Sequence, residues 1–276
     1  MAVAVQQPSL LEISDNAIFL NHKSSEEITI DFEYDEFEDI TYVASGGYGD
    51  VFHAHWKRTG EKVALKRITN RLDERRKREF RRELNAMKNV CVKKNPYVIQ
   101  FFGLTRDPCD NYVMIMQYAN GGNPREYLKA NHESMTWDER INLAIGIVEA
   151  LEFVHRHGIL HRDLNVLIHD GKPILCDFGL SKSYDDTDSS HGVYGVIPYI
   201  DPLRYDGHAY GEASEVYGIG VLLWEISSGR VPFSDRTTDP QSLIGSIIRG
   251  ERENPISGTP IDYANLYEDC WSSCAQ

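Results

Sequence analysis

Two groups of residues in this 276-residue chain have types and spacings suited to chemistry. The first is Ala44-Ser45-Gly46-Gly47-Tyr48-Gly49-Asp50-Val51, followed by Val63-Ala64-Leu65-Lys66. Glycines remove steric bulk and expose backbone N–H donors, so Gly46, Gly47 and Gly49 would let the chain approach a polyanion. A glycine turn alone is equally an ordinary hairpin. The strand behind it adds weight, because alternate strand residues share a face and place small Ala64 beside the ammonium of Lys66. The second group is His161-Arg162-Asp163-Leu164-Asn165, with Asp177-Phe178-Gly179 beginning fourteen residues after Asp163. An isolated Asp is most simply a turn or cap residue. Two such motifs flanking one strand ask for a stronger explanation.

Taken together these segments resemble the protein kinases, in that family's order and over nearly the whole chain. His161-Arg162-Asp163-Leu164 running into Asn165 is similar to the catalytic loop H-R-D-L-x-x-x-N, with the three residues between Leu164 and Asn165 missing. Asp177-Phe178-Gly179 resembles the magnesium motif, and the glycine turn resembles the family's glycine-rich loop with Ala44 in place of the first Gly. Gly195 to Leu203 resembles the segment that closes the activation loop, and Trp224-Glu225 ending a helix over 214–227 is most similar to the tyrosine-kinase-like group of Ser/Thr kinases. The resemblance implies an α+β, bilobal fold, with a small antiparallel β-sheet N-lobe carrying helix C and a mainly helical C-lobe. It also implies ATP and Mg2+ as ligands, protein substrates as partners, and transfer of the γ-phosphate to Ser/Thr or Tyr hydroxyls.

The residue roles follow from the same resemblance. Ala44, Gly46, Gly47 and Gly49 would lie over ATP phosphates, with Val51, Ala64 and Leu167 as apolar walls. Met116 would be the gatekeeper, and the backbone of Gln117 and Ala119 would meet the adenine edge. Lys66 would pair with Glu83, Asp163 would take or orient the substrate hydroxyl proton, and Asp177 with Asn165 would hold the metal. His161 and Phe178 would be core residues, packing with Met87 and Phe101. Arg162 implies control by an anion on the activation loop, where Tyr184, Thr187, Ser189, Ser190 and Tyr194 are candidate phosphosites. Asp185, Asp186 and Asp188 could partly mimic that charge, and a plain disordered polar loop is the alternative.

Several departures bear on activity. Three residues of chain span up to ~10 Å, so either the catalytic loop tightens or the next strand starts elsewhere. A displacement of ~1 Å in a catalytic group can lower a rate ~100-fold. Leu203 replaces the Glu that closes the activation segment in the family, and Val196 stands where a Thr is usual. Glu215 replaces an Asp that braces the catalytic loop, which predicts a side chain one methylene too long for that contact. Three readings result: an active kinase domain, a nucleotide-binding pseudokinase or interaction module, and an incomplete gene product.

The elements that must position these residues are also legible. Residues 37–65 read as three short strands punctuated by glycines. Residues 71–90 change to helical period, with Phe80, Leu84 and Met87 as a buried stripe and Glu83 on the same face. A carboxylate pointing at a core needs a cation, and Lys66 is the obvious one. Thr136-Trp137-Asp138-Glu139 is a capping box for a helix to about Arg156, with Gly158 placed to end it. Residues 214–227 are apolar nearly all round and predict a buried helix. Residues 1–35 read as an acidic leader, a solvated extension in which Ile28, Ile30 and Phe32 alternate as a short strand would. The kinase domain then runs 36–276, with an N-lobe to 118, a C-lobe from 119 and the family's last helix missing.

The chain's bulk properties narrow the partners. A net charge of −13 disfavours a nucleic-acid partner. Five scattered cysteines without metal-ligand spacing suit reduced thiols in cytosol or nucleus. No apolar run approaches the roughly 18–20 residues of a membrane span.

Overall fold

A computed structural model describes residues 29–46, 49–68, 74–91, 93–184, 193, 195–236 and 239–272, with backbone alone for Gly46 and residues 74–77. These fall into two compact units. One holds the described residues through Lys94 together with Val98–Ala119, and the other holds Asn95–Tyr97 and the described residues from Asn120 onward. The division at Ala119/Asn120 lies one residue from the expected lobe boundary.

The first unit is a five-stranded antiparallel sheet in the order β1-β2-β3-β5-β4, formed by β1 (Phe37–Gly46), β2 (Gly49–Trp56), β3 (Glu61–Ile68), β4 (Phe101–Arg106) and β5 (Tyr112–Gln117). Period-two alternation sends Ala54, Trp56, Val63, Leu65, Val113 and Ile115 to one face, where they pack with Phe37 and Phe102. The helical period after β3 gives α1 (Glu74–Cys91), with Phe80, Leu84 and Met87 buried as the stripe requires.

The leader ends earlier than expected. Residues 1–28 lie outside the described residues, but Asp31 and Phe32 both donate backbone N–H groups to Leu104 O, at 2.9 and 3.1 Å. The Asp31 carboxylate accepts from Leu104 N at 2.9 Å, and the Phe32 ring meets Trp56 edge-on at 4.9 Å. Gly103 makes this close approach possible, since a Cβ there would lie 2.7 Å from the Phe32 ring. The segment therefore covers part of the β4 edge, which would otherwise expose unpaired backbone groups, and it is not a solvated extension.

The second unit is built on helices α2 (Pro124–Asn131), α3 (Trp137–Arg156), α4 (Glu212–Ser228), α5 (Pro240–Ile248) and α6 (Ile261–Cys270). Thr136 caps α3 in the expected capping box with Glu139, and Gly158 beyond its end is left-handed at φ 69°. Fourteen of the seventeen residues of α4 are buried, so it is the central helix of this unit. Gly218 and Gly220 let neighbours reach its backbone: a Cβ at Gly218 would lie 3.1 Å from Leu164, and one at Gly220 2.8 Å from Cys270. Two short hairpins complete the unit, β6 (Ile159–Leu160) with β9 (Lys182–Ser183), and β7 (Asn165–His169) with β8 (Lys172–Cys176). Among the described residues no helix is long and apolar enough to cross a membrane, and Cys91, Cys109, Cys176 and Cys270 are free thiols.

Phe32→Ala is expected to destabilise the protein by about 1–2 kcal/mol, from lost apolar burial and the lost aromatic pair. Chemical denaturation checks this; a solvated leader would give no change.

Candidate active site

Strand register brings together the candidate residues of the first unit. Across β2 and β3, Val51 stands opposite Lys66 and His53 opposite Ala64; across β3 and β5, Ala64 meets Met116 and Lys66 meets Met114. Directly opposed residues share a face, so Val51, Ala64, Lys66 and Met116 come together as expected, on the face away from Trp56 and Leu65. His53 and Met114 join them without having been singled out from the sequence. Met114 lies two residues before Met116, so the strand period was the signal that could have found it.

Lys66 Nζ lies 2.5 Å from Glu83 Oε1, with the two side chains 8% and 5% exposed. The buried stripe of α1 turns Glu83 inward, and strand alternation turns Lys66 toward it. A buried pair of this kind is not cheap stability, since desolvating both charges offsets much of their attraction.

The glycine turn has a built stem. Gly46 pairs with Gly49, and Ala44 with Val51. Gly49 is obligatory: its φ is 144°, and a Cβ would lie 2.1 Å from the Arg67 carbonyl oxygen. Beside it the Ser45 hydroxyl donates to the Asp50 carboxylate, which also accepts from Arg67 at 2.6 Å. These two hydrogen bonds hold the Asp50 carboxyl below its usual range. Gly47 lies outside the described residues. The Gln117 N–H donates to Gln100 O at 2.9 Å, so what Gln117 can offer an adenine edge is its carbonyl; Ala119 is half-buried at the end of the unit.

The candidate acids lie in the second unit. His161 is fully buried with its ring 4.7 Å from Phe178, and burial pushes its pKa down, so it is a neutral packing residue. Met87 and Phe101 are buried in the first unit. The shortened loop closes by tightening: Asn165 N–H donates to Asp163 O at 2.6 Å, a three-residue turn over Leu164. Asn165 also opens β7, opposite Cys176, which places it across from the neighbour of Asp177. Its side-chain amide donates to Asp163 Oδ2 at 2.8 Å. Burial raises the Asp163 pKa, and the Asn165 amide is the main opposing influence. Asp177 is left-handed at φ 63° and its carboxylate caps the turn Phe178–Leu180. Leu167 is half-buried on β7, opposite Ile174.

One expectation is overturned. Glu215 is not too long to brace the loop: its Oε1 accepts the Arg162 N–H at 2.5 Å. The Arg162 guanidinium stands 5.7 Å from the Tyr210 ring. Of the candidate phosphosites, Thr187, Ser189, Ser190 and Tyr194 lie outside the described residues. Tyr184 is about half exposed, and its hydroxyl donates to Glu212.

The family model described as protein kinase domain matches residues 37–260. The chain belongs to the protein kinase domain family. Among its relatives, the leaf rust 10 disease-resistance locus receptor-like protein kinase-like 1.4 of Arabidopsis thaliana is 32% identical over 213 residues, covering 72% of this chain and 31% of that protein. Mitogen-activated protein kinase kinase kinase 12 of Rattus norvegicus is 28% identical over 257 residues, 91% of this chain and 27% of the relative. The corresponding kinase 13-B of Xenopus laevis is 27% identical over 267 residues, 95% and 26%. These relatives are consistent with a kinase domain of the tyrosine-kinase-like type. The chain spans 26–31% of their lengths.

Removing one member of the Lys66–Glu83 pair takes its 2.5 Å ionic partner from a buried charge, so Lys66→Met or Glu83→Leu is expected to cost up to about 3–5 kcal/mol each. The double variant should be more stable than either single one. Urea unfolding of the three variants checks this.

Proposed function

We propose that this kinase domain binds Mg-ATP and transfers the γ-phosphate to Ser or Thr hydroxyls of a protein substrate, slowly in its present form. The observation that carries the reading is the buried Lys66–Glu83 pair beside the glycine stem. An ammonium held rigidly on a face with Val51, Ala64 and Met116 suits a nucleotide with an apolar base and an anionic tail. Lys66 would hold phosphate oxygens, and Asp163 would orient the substrate hydroxyl and accept its proton.

The donor chemistry fits a hard cation. Asp177 and Asn165 supply a carboxylate and an amide oxygen, and Mg2+ is commonly held by one or two carboxylates together with substrate phosphates. The contact from Asn165 to Asp163 uses the amide nitrogen and not the oxygen. When bound, the cation supplies charge neutralisation on the phosphates. The free thiols of the described cysteines support a reducing compartment, cytosol or nucleus.

A second reading, a nucleotide-binding module with little catalysis, is favoured by the tight turn over Leu164, which binds Asp163 and Asn165 to each other. One experiment separates the two. Inserting His-Ser-Lys between Leu164 and Asn165 is expected to raise phosphotransfer at least ~100-fold and leave nucleotide affinity nearly unchanged. Mg-ATP should raise the melting temperature of both forms, by less in Lys66→Met. No thermal shift in either form overturns nucleotide binding; equal, substantial transfer by both, abolished by Asp163→Asn, overturns the claim that the loop limits the rate.

The pH dependence has a definite sign. Asp163 accepts a proton only when ionised, and burial raises its pKa. The rate should therefore fall on acidification at a pH above that of a solvated Asp. Asn165→Ala removes the main influence lowering that pKa and should move the acid limb higher still, as read from kcat against pH.

A further inference from the structure

Among the described residues of the second unit Glu215 is the most buried acid, 1% exposed, and both its carboxylate oxygens have partners. Oε1 accepts the Arg162 backbone N–H at 2.5 Å and the Tyr210 hydroxyl at 3.1 Å; Oε2 lies 2.5 Å from His155 Nε2. The three partners come from the catalytic loop, the approach to α4 and the last turn of α3. The acid also sits in the first turn of α4, where the helix N-terminus favours negative charge.

What it holds is strained. Arg162 is a non-glycine residue at φ 71°, a conformation that persists only where surrounding contacts enforce it. Three residues later the chain is already in β7, having crossed the tight turn over Leu164, and Leu164 itself is packed on α4 at Gly218. With so little slack, the Arg162 N–H cannot move toward the helix; the carboxylate must come to it.

We propose that the length of Glu215 is matched to the short catalytic loop: the extra methylene over Asp lets α4 reach Arg162 and so position Asp163. Glu215 is thus a positioning residue, acting through the Arg162 backbone. Shortening it by one methylene withdraws the acceptor by about 1.5 Å, which takes a 2.5 Å contact beyond hydrogen-bonding range. In a longer loop Arg162 has the freedom to follow. The proposal rests on the kinase reading for its catalytic consequence, but the matching itself can be read without nucleotide.

The test uses the full chain with Glu215→Asp and Glu215→Gln, each with and without three residues inserted between Leu164 and Asn165. Hydrogen exchange of the Arg162 amide is followed alongside core amides of α4 such as Val221 and Leu222. In the native loop, Glu215→Asp should speed Arg162 exchange at least tenfold and leave Val221 and Leu222 within twofold. Glu215→Gln, which keeps the length and an oxygen acceptor, should stay within threefold of the parent. In the inserted loop, Glu215→Asp should have less than a threefold effect. Wild-type exchange in Glu215→Asp, equal loss in both loop backgrounds, or equal loss in Glu215→Gln would each overturn the matching. Phosphotransfer is measured on the same proteins, where Glu215→Asp should lower kcat at least tenfold with KM for ATP unchanged in the native loop. Absence of transfer from every form would count against the kinase reading and leave the exchange result to decide the matching. Expected exchange with kcat unaffected by Glu215→Asp would overturn the positioning role.

Discussion

A single buried carboxylate organises the helical unit. Glu215 on α4 cannot be left in an apolar interior without partners, and the partners it recruits fix three separate pieces of chain. His155 ties the end of α3 to the start of α4, Tyr210 ties the approach to α4, and Arg162 ties the catalytic loop. Around it the other contacts of α4 repeat the pattern at smaller scale. Asp201 accepts from the Ser214 hydroxyl at 2.9 Å, while Glu225 receives Arg125 at 3.1 Å and the Tyr199 hydroxyl. The central helix is therefore apolar in bulk, with buried acids on it or against it at the points where neighbouring chain is held.

The sheet unit depends on a different constraint, the two-residue period. The same alternation that buries Trp56, Val63 and Leu65 on one face puts Val51, Ala64 and Lys66 on the other. Core and site are consequences of one pattern, so a register slip would lose both together. The Lys66–Glu83 pair then joins that sheet to α1, and its desolvation offsets much of the attraction between the two charges. Membership of the kinase domain family agrees with this arrangement, and the matched span of residues 37–260 includes every element that carries it.

The shortened loop shows how a local loss is absorbed. The change is confined to the stretch between Asp163 and Asn165, where one residue now does the work of a longer connection, and β7 keeps its pairing with β8. The cost falls on side-chain freedom: Asn165 is bonded to Asp163, the acid proposed to meet the substrate. Arg162 is left-handed, with Glu215 reaching out to hold it.

The sequence by itself determined what local rules govern. Strand alternation set the face of Ala64 and Lys66, helical spacing turned Glu83 inward, the Thr136–Glu139 box started α3, and unbroken apolarity buried α4. These follow from backbone periodicity and capping, which act within a few residues. The tertiary structure alone decided how far a side chain must reach and what lies opposite it. Whether the loop would tighten or its strand move, that Glu215 meets the Arg162 N–H, that Asp31 and Phe32 cover the edge at Leu104, and that Met114 faces Lys66 all depend on the distance between elements remote in the chain. A methylene more or less is favourable or unfavourable only against such a distance, and one-dimensional spacing does not contain it.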